Sequence, residues 1–145
     1  MKRAQLRILF HGLVVLLVAL VCGVPYGQAI IHAWGEEAVR AWRFAHVGLV
    51  VAGMWLMVVA AISHLLVLTT RRIAILVYSV VTAAYSFTIA LIVSAVGGVR
   101  GIDLGGSLLN VVACLANFVA ALGSLVGVGV MLLGVVVALR EADAR

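Results

Sequence analysis

Residues 8–35 read ILFHGLVVLLVALVCGVPYGQAIIHAWG, a run of 28 positions without one charged side chain. At about 1.5 Å per helical residue such a run exceeds the roughly 30 Å hydrocarbon core of a bilayer. Three more uncharged stretches follow, Phe44–Thr70, Ile73–Val99 and Leu104–Leu139. Of the 145 residues 66% are hydrophobic and 10% charged, whereas soluble domains are about 45–50% apolar and about 25% charged. A soluble globule is excluded. The expected fold is all-α, an integral membrane four-helix transmembrane bundle forming one domain over residues 1–145, with helices at about 8–31, 41–68, 73–96 and 107–139. The connections are too short to hold a soluble catalytic, nucleotide-binding or DNA-binding domain.

Turn chemistry divides the spans. Pro25 sits near the end of the first helix, and a polar loop runs from His32 to about Arg40. Thr69-Thr70-Arg71-Arg72 reads as a tight turn whose threonines cap the third helix. Gly97-Gly98 breaks that helix, the glycine-rich stretch to Gly106 forms the next loop, and Ser107 is placed to cap the fourth. The fourth span is longer than the hydrocarbon requires, so it tilts, kinks or emerges at one end.

The formal charge is +5, but the basic residues sit at helix ends, as topology signals do, and not as a nucleic-acid patch. Lys2, Arg3, Arg7, Arg71, Arg72, Arg140 and Arg145 lie on one side, against Arg40, Arg43 and Arg100 on the other. The positive-inside rule therefore predicts a multi-pass cell-membrane protein with both termini cytoplasmic. The first apolar run is too long for a signal-peptide core and is expected to be retained as a span. Val21 before Cys22 is not the small residue that a lipoprotein cleavage site requires, and Cys22 and Cys114 read as single packing residues.

Gly23-xxx-Gly27 and Gly123-xxx-Gly127, extended by Gly129 and Gly134, have the spacing that lets helix backbones approach. They fit packing within one bundle or a homo-oligomer seam, and four helices this apolar favour oligomerisation.

No lysine, arginine or carboxylate lies inside a span, which excludes proton pumping and carboxylate-driven chemistry at membrane depth. The acid of a hydrolase triad is likewise missing there. Four histidines remain, His11, His32, His46 and His64. Neutral imidazole suits an apolar site and ligates haem iron; HExxH-type zinc motifs are absent from the sequence. His46 stands in the segment Ala41-Trp-Arg-Phe-Ala-His-Val-Gly-Leu-Val-Val-Ala-Gly-Met54. Gly53 follows on the same helical face, with Gly48 nearby, so a flat macrocycle fits against this helix. Arg40 and Arg43, one or two turns toward the surface, suit haem propionates.

On these residues the sequence resembles a known family. Trp42-x-x-Ala-His46-x-Gly48, with Gly53 following, is similar to the second-helix motif of the styrene oxide isomerases, and the hydroxylaminobenzene mutases carry a related pattern. Phe10-His-Gly-Leu…Cys22-Gly, Tyr78…Tyr85-Ser-Phe87 and Gly97-Gly-Val-Arg-Gly101 match in position and character, so the resemblance spans nearly the whole chain.

The resemblance implies a haem b-dependent membrane isomerase, a trimer with haem between neighbouring protomers and His46 as axial ligand. It implies ferric haem acting as Lewis acid on an epoxide oxygen, C–O opening toward a benzylic cation and a hydride shift that yields an aldehyde without net redox change. The mutases instead rearrange an arylhydroxylamine to an aminophenol; both substrates are small, apolar and aromatic. Tyr85 falls on the third-helix tyrosine that assists substrate opening, although straight-helix arithmetic sets it about 15 Å shallower than His46. Six residues after the ligand, where the family has asparagine, this chain has Ala52. Asn110 and Asn117 are candidates to supply the lost amide, or else are hydrogen bonded between helices.

Two other readings of the same residues stand beside this one. One is a bis-histidine b-type haem electron carrier, clamped by His11 with His64 or by His32 with His46. The other is a non-catalytic membrane binding protein whose glycines and aromatics only pack.

Overall fold

A computed structural model describes residues 2–144. Arg145, counted above among the basic residues, lies outside the described residues. The described residues form four helices, α1 (Lys2–Ile31), α2 (Glu36–Ile62), α3 (Thr70–Gly97) and α4 (Leu108–Asp143), with a 3-10 turn at Ser63–Leu65. All four are long and apolar enough to cross a membrane. The fold is the expected all-α four-helix transmembrane bundle.

The helices form two antiparallel hairpins, α1–α2 and α3–α4, and α3 lies against both helices of the first hairpin. α4 runs along α3 and reaches the first hairpin mainly at the 3-10 turn. Both described ends therefore lie at one end of the bundle with the α2–α3 connection, called here the terminal end. The α1–α2 turn and the glycine-rich loop form the opposite, loop end. The core is a column of Ile8, Val15, Ala19 and Cys22 from α1, Leu49, Leu56 and Val59 from α2, and Leu76, Val80 and Leu91 from α3.

Helix ends follow capping chemistry where it was readable. The Thr69 hydroxyl accepts from Arg72 N at 3.4 Å, the Ser107 hydroxyl accepts from Asn110 N at 3.3 Å, and Gly98 takes the left-handed conformation at φ 60° that closes α3. Other boundaries differ from the sequence expectation. α1 begins at Lys2, because Ala4, Gln5, Leu6 and Arg7 are good helix formers and Gln5 Nε2 donates to Ala60 O at 3.3 Å. α2 begins at Glu36: Gly35 turns the chain at φ 99°, and Glu36 and Glu37 occupy the first turn, where the helix dipole favours negative charge.

α2 also leaves the α-helix at Ile62, well before Leu68. The cause is tertiary. Val67 N donates to Gly134 O at 3.3 Å, and Leu66 and Leu68 lie over Gly134, where an added Cβ would meet them at 3.0–3.1 Å. That extended strap joins the two hairpins at the terminal end.

Backbone contact between helices is closest at two crossings. A Cβ at Gly53 would lie 2.9 Å from Leu16 N and 3.0 Å from Gly12 O; one at Gly123 would lie 2.8 Å from Ser79 O. The Gly123-xxx-Gly127 pair thus packs within the chain, on α3. Gly129 has nothing within 4 Å of its Cβ direction. Gly53→Ala should therefore force α1 from α2 and cost about 1–3 kcal/mol. Gly129→Ala should leave the unfolding midpoint in detergent unchanged or raised, through better helix propensity. Equal midpoints for both variants would contradict the crossing.

Candidate functional site

α2 carries His46 toward α1. Its Nδ1 lies 2.8 Å from the carbonyl oxygen of Ala19, its ring stacks on Tyr26 with centroids 6.2 Å apart and planes at 20°, and Gly23 leaves room at the ring edge, where a Cβ would come within 3.3 Å. A carbonyl oxygen only accepts, so Nδ1 carries the proton in this bond. In the neutral ring Nε2 then holds the free lone pair. A histidine fixed through Nδ1 to a backbone carbonyl is the arrangement typical of a metal-ligating imidazole.

Ala19 and Tyr26 were not singled out in the sequence, and Gly23 was read there as a helix-packing residue and as part of the Cys22-Gly motif. Their spacing of four and three places them on one face of α1, a small-small-aromatic pattern readable only once α1 and α2 are known to be antiparallel neighbours. Toward the loop end, Arg40 and Arg43 line a cavity of about 470 Å³ with Glu36, Ala29, Ile30 and Val39. Arg43 precedes His46 by one helical turn.

Gly53 does not offer the open face expected of it. It shares a face with His46, but that face is covered by α1 at Gly12 and Leu16. Gly48 faces α3, where a Cβ would meet Leu91 Cδ1 at 2.8 Å. A planar group reaching His46 therefore cannot lie flat along α2 over Gly53.

Tyr85 is placed elsewhere. Its hydroxyl lies 3.0 Å from His11 Nδ1, with the two rings edge to face at 5.5 Å. His11 lies eight to twelve residues along α1 from the Ala19–Gly23 stretch beside His46, about 12–18 Å toward the terminal end. The separation anticipated from straight helices persists in the packed structure. The other histidines do not converge either. His64 is exposed in the 3-10 turn, with Nδ1 2.6 Å from Ala61 O, beyond the level where Ala60 meets Gln5; His32 is exposed in the α1–α2 turn. Neither pair, His11 with His64 nor His32 with His46, meets at a common depth.

Over residues 4–141 the sequence matches the family described as styrene oxide isomerase. The chain belongs to the styrene oxide isomerase family. No curated protein and no solved structure matches it. Membership makes the chain a membrane isomerase by family, and the structure locates the residues that the family motif marks.

In this styrene oxide isomerase family member the two asparagines do different work. Asn110 is consumed by the glycine-rich loop: Oδ1 accepts from Gly101 N at 2.8 Å, and Nδ2 donates to Asp103 O at 2.9 Å and Gly105 O at 2.7 Å. Asn117 Nδ2 donates to Gly101 O at 3.1 Å, yet Asn117 also lines a groove of about 300 Å³ shared with Ala52, Trp55, Phe87 and Ser124. Ala52 and Asn117 are thus brought together and Asn110 is not.

Two outcomes follow. Asn110→Ala should raise amide hydrogen exchange across residues 101–106 by about tenfold or more, since it strips several loop bonds together worth about 1–3 kcal/mol; unchanged exchange would remove Asn110 as the loop's organiser. Tyr85→Phe, which loses one bond to His11, should cost about 1 kcal/mol of stability. An unchanged melt would show that the bond contributes nothing.

Proposed function

We propose that this chain is a haem b-dependent isomerase that rearranges small aromatic substrates, an aryl epoxide to the aldehyde or an arylhydroxylamine in the manner of the mutases. In this reading it works as a homotrimer in the cell membrane with both termini cytoplasmic. The observation that carries it is His46: Nδ1 is committed to the Ala19 carbonyl at 2.8 Å, which leaves Nε2 as a free donor for iron. Family membership over residues 4–141 supports the isomerase class.

The residues present fit haem in kind. His46 would hold the iron, the Ala19 carbonyl fixing its tautomer and orientation. Arg40 and Arg43 in the cavity toward the loop end would hold the propionates as charge-assisted pairs. When bound, ferric haem supplies a Lewis acid for the substrate oxygen.

The rest of the chemistry falls to the apolar helices. Epoxide opening puts positive charge on a benzylic carbon, and water reaching that carbon would divert it to a diol. Spans without a lysine, arginine or carboxylate keep water away and leave the hydride shift as the path to product. Because reactant and product are isomers, no electron donor or acceptor is needed. The homotrimer rests on the family resemblance alone.

His46→Ala protein purified in detergent should lose its Soret band and its haem per chain, whereas His64→Ala should keep both. Full haem in both variants would overturn the ligand assignment, and a colourless wild-type protein produced with ample haem would overturn the reading itself.

A further inference from the structure

The helices that start at the terminal end break a rule that α2 follows at the loop end. A helix N-terminus carries partial positive charge and is stabilised by acids in its first turn. α2 has Glu36 and Glu37 there. α1 and α3 both start at the terminal end, and neither has an acid in its first turn. They carry cations instead, Lys2 and Arg3 on α1 and Arg71 and Arg72 on α3. Like charge is thus added to like at two neighbouring helix ends. The acids at this end of the bundle stand off from it. Glu141 and Asp143 lie on α4, seven and nine residues past Gly134, where the strap before α3 crosses, and so about 10–14 Å farther out.

The same corner has a defined shape. α1 and α3 run parallel, because each is antiparallel to α2, and the contact of His11 with Tyr85 sets their register. Counted back from that contact, Arg7 stands about level with Val81 and Ala4 about level with Tyr78. Arg71, Tyr78 and Tyr85 follow at intervals of seven on one face of α3, and Arg7 precedes His11 by one turn on α1. His11 and Tyr85 close the seam between the two helices and are part-buried. Nearer the terminal end the seam opens: Arg3, Arg7 and Arg71 are exposed, and Tyr78 is 70% exposed. In a parallel pair the side chains of both helices lean toward their common N-terminal end. The Arg7 guanidinium and the Tyr78 hydroxyl therefore point out of the hydrocarbon together, at the level where interfacial tyrosines meet lipid headgroups.

We propose that this open end of the α1–α3 seam binds the headgroup of an anionic phospholipid. Its phosphate accepts from the Arg7 guanidinium and the Tyr78 hydroxyl, with Arg3 and Arg71 on either side, and its acyl chains run along the seam past the exposed Phe10 and Ile89. Arginine matches phosphate through two parallel N–H donors. The lipid also supplies the negative charge that the first turns of α1 and α3 lack. A zwitterionic lipid offers the same phosphate, but its own ammonium cancels the charge, so a headgroup of net negative charge is preferred. The site is separate from His46 and does not require haem.

The test is native mass spectrometry of the full chain, released from detergent after incubation with phosphatidylglycerol or with phosphatidylcholine of the same acyl chains. Wild-type protein should retain phosphatidylglycerol at about tenfold or more lower lipid concentration than phosphatidylcholine. Arg7→Gln and Arg71→Gln should each cut that preference by about threefold or more, and Tyr78→Phe should weaken it by about threefold through the lost hydrogen bond. Arg140→Gln removes the same charge from the same end, but on α4, and should leave the preference intact. These positions are exposed and glutamine is a good helix former, so the variants fold. Equal retention of the two lipids by the wild-type protein would overturn the proposal. So would a loss in Arg140→Gln as large as in Arg7→Gln, the mark of a diffuse surface field, or displacement of the lipid by chain-free glycerol phosphate at equal concentration, the mark of a site for free phosphate.

Discussion

The approach of α1 to α2 at Gly12 and Gly53 is the constraint on which the rest depends. At that crossing the space a side chain would need is already filled by backbone. Because the two helices are antiparallel and this close, register is transmitted along the hairpin. Gln5 meets Ala60 on one side of the crossing, and His46 meets Ala19 on the other. A hydrogen bond from a ring nitrogen to a helical carbonyl of a neighbour tolerates little change in helix separation. The glycines therefore act on the chemistry at a distance of several turns, by setting how near the imidazole stands to the oxygen that fixes its tautomer.

The spans then restrict what that imidazole can do. With carboxylates confined to the bundle ends, no charged partner at depth competes for His46 or draws its proton, and a backbone carbonyl is the acceptor. His11 has a different partner, the Tyr85 hydroxyl, which can donate or accept and so leaves its tautomer open. Two histidines at similar helical positions thus differ in the one property that matters for binding a metal, a committed Nδ1–H and a free Nε2.

Much of this architecture was legible in the sequence because its signals are local. Uncharged runs mark spans, and Ser107, Thr69 and Gly98 cap helices through chemistry held within a few residues. The early end of α2 was not legible, because it depends on Val67 reaching the Gly134 carbonyl, a contact between residues far apart in the chain. His46 was singled out as a candidate by its motif, whereas the open face expected at Gly53 is not there. Periodicity gave the shared face with His46, and only packing reveals that α1 covers it. Asn110 and Asn117 look alike on a helical wheel, two turns apart; the loop that folds back on the first of them separates their roles.

The two hairpins divide the polar work. The α1–α2 hairpin holds the imidazole and the loop-end arginines; the α3–α4 hairpin holds the amide and hydroxyl that line the groove, with Ala52 of α2 at its edge. An asparagine at residue 52 would place a second amide there and allow it to bond Asn117 or Ser124, satisfying the groove internally. Alanine leaves the space open and the Asn117 carbonyl without that partner. Replacing a polar residue by a small one at this position is therefore more than the loss of a contact. It leaves the Asn117 amide and the Ser124 hydroxyl, both on α4, as the polar groups that line the groove.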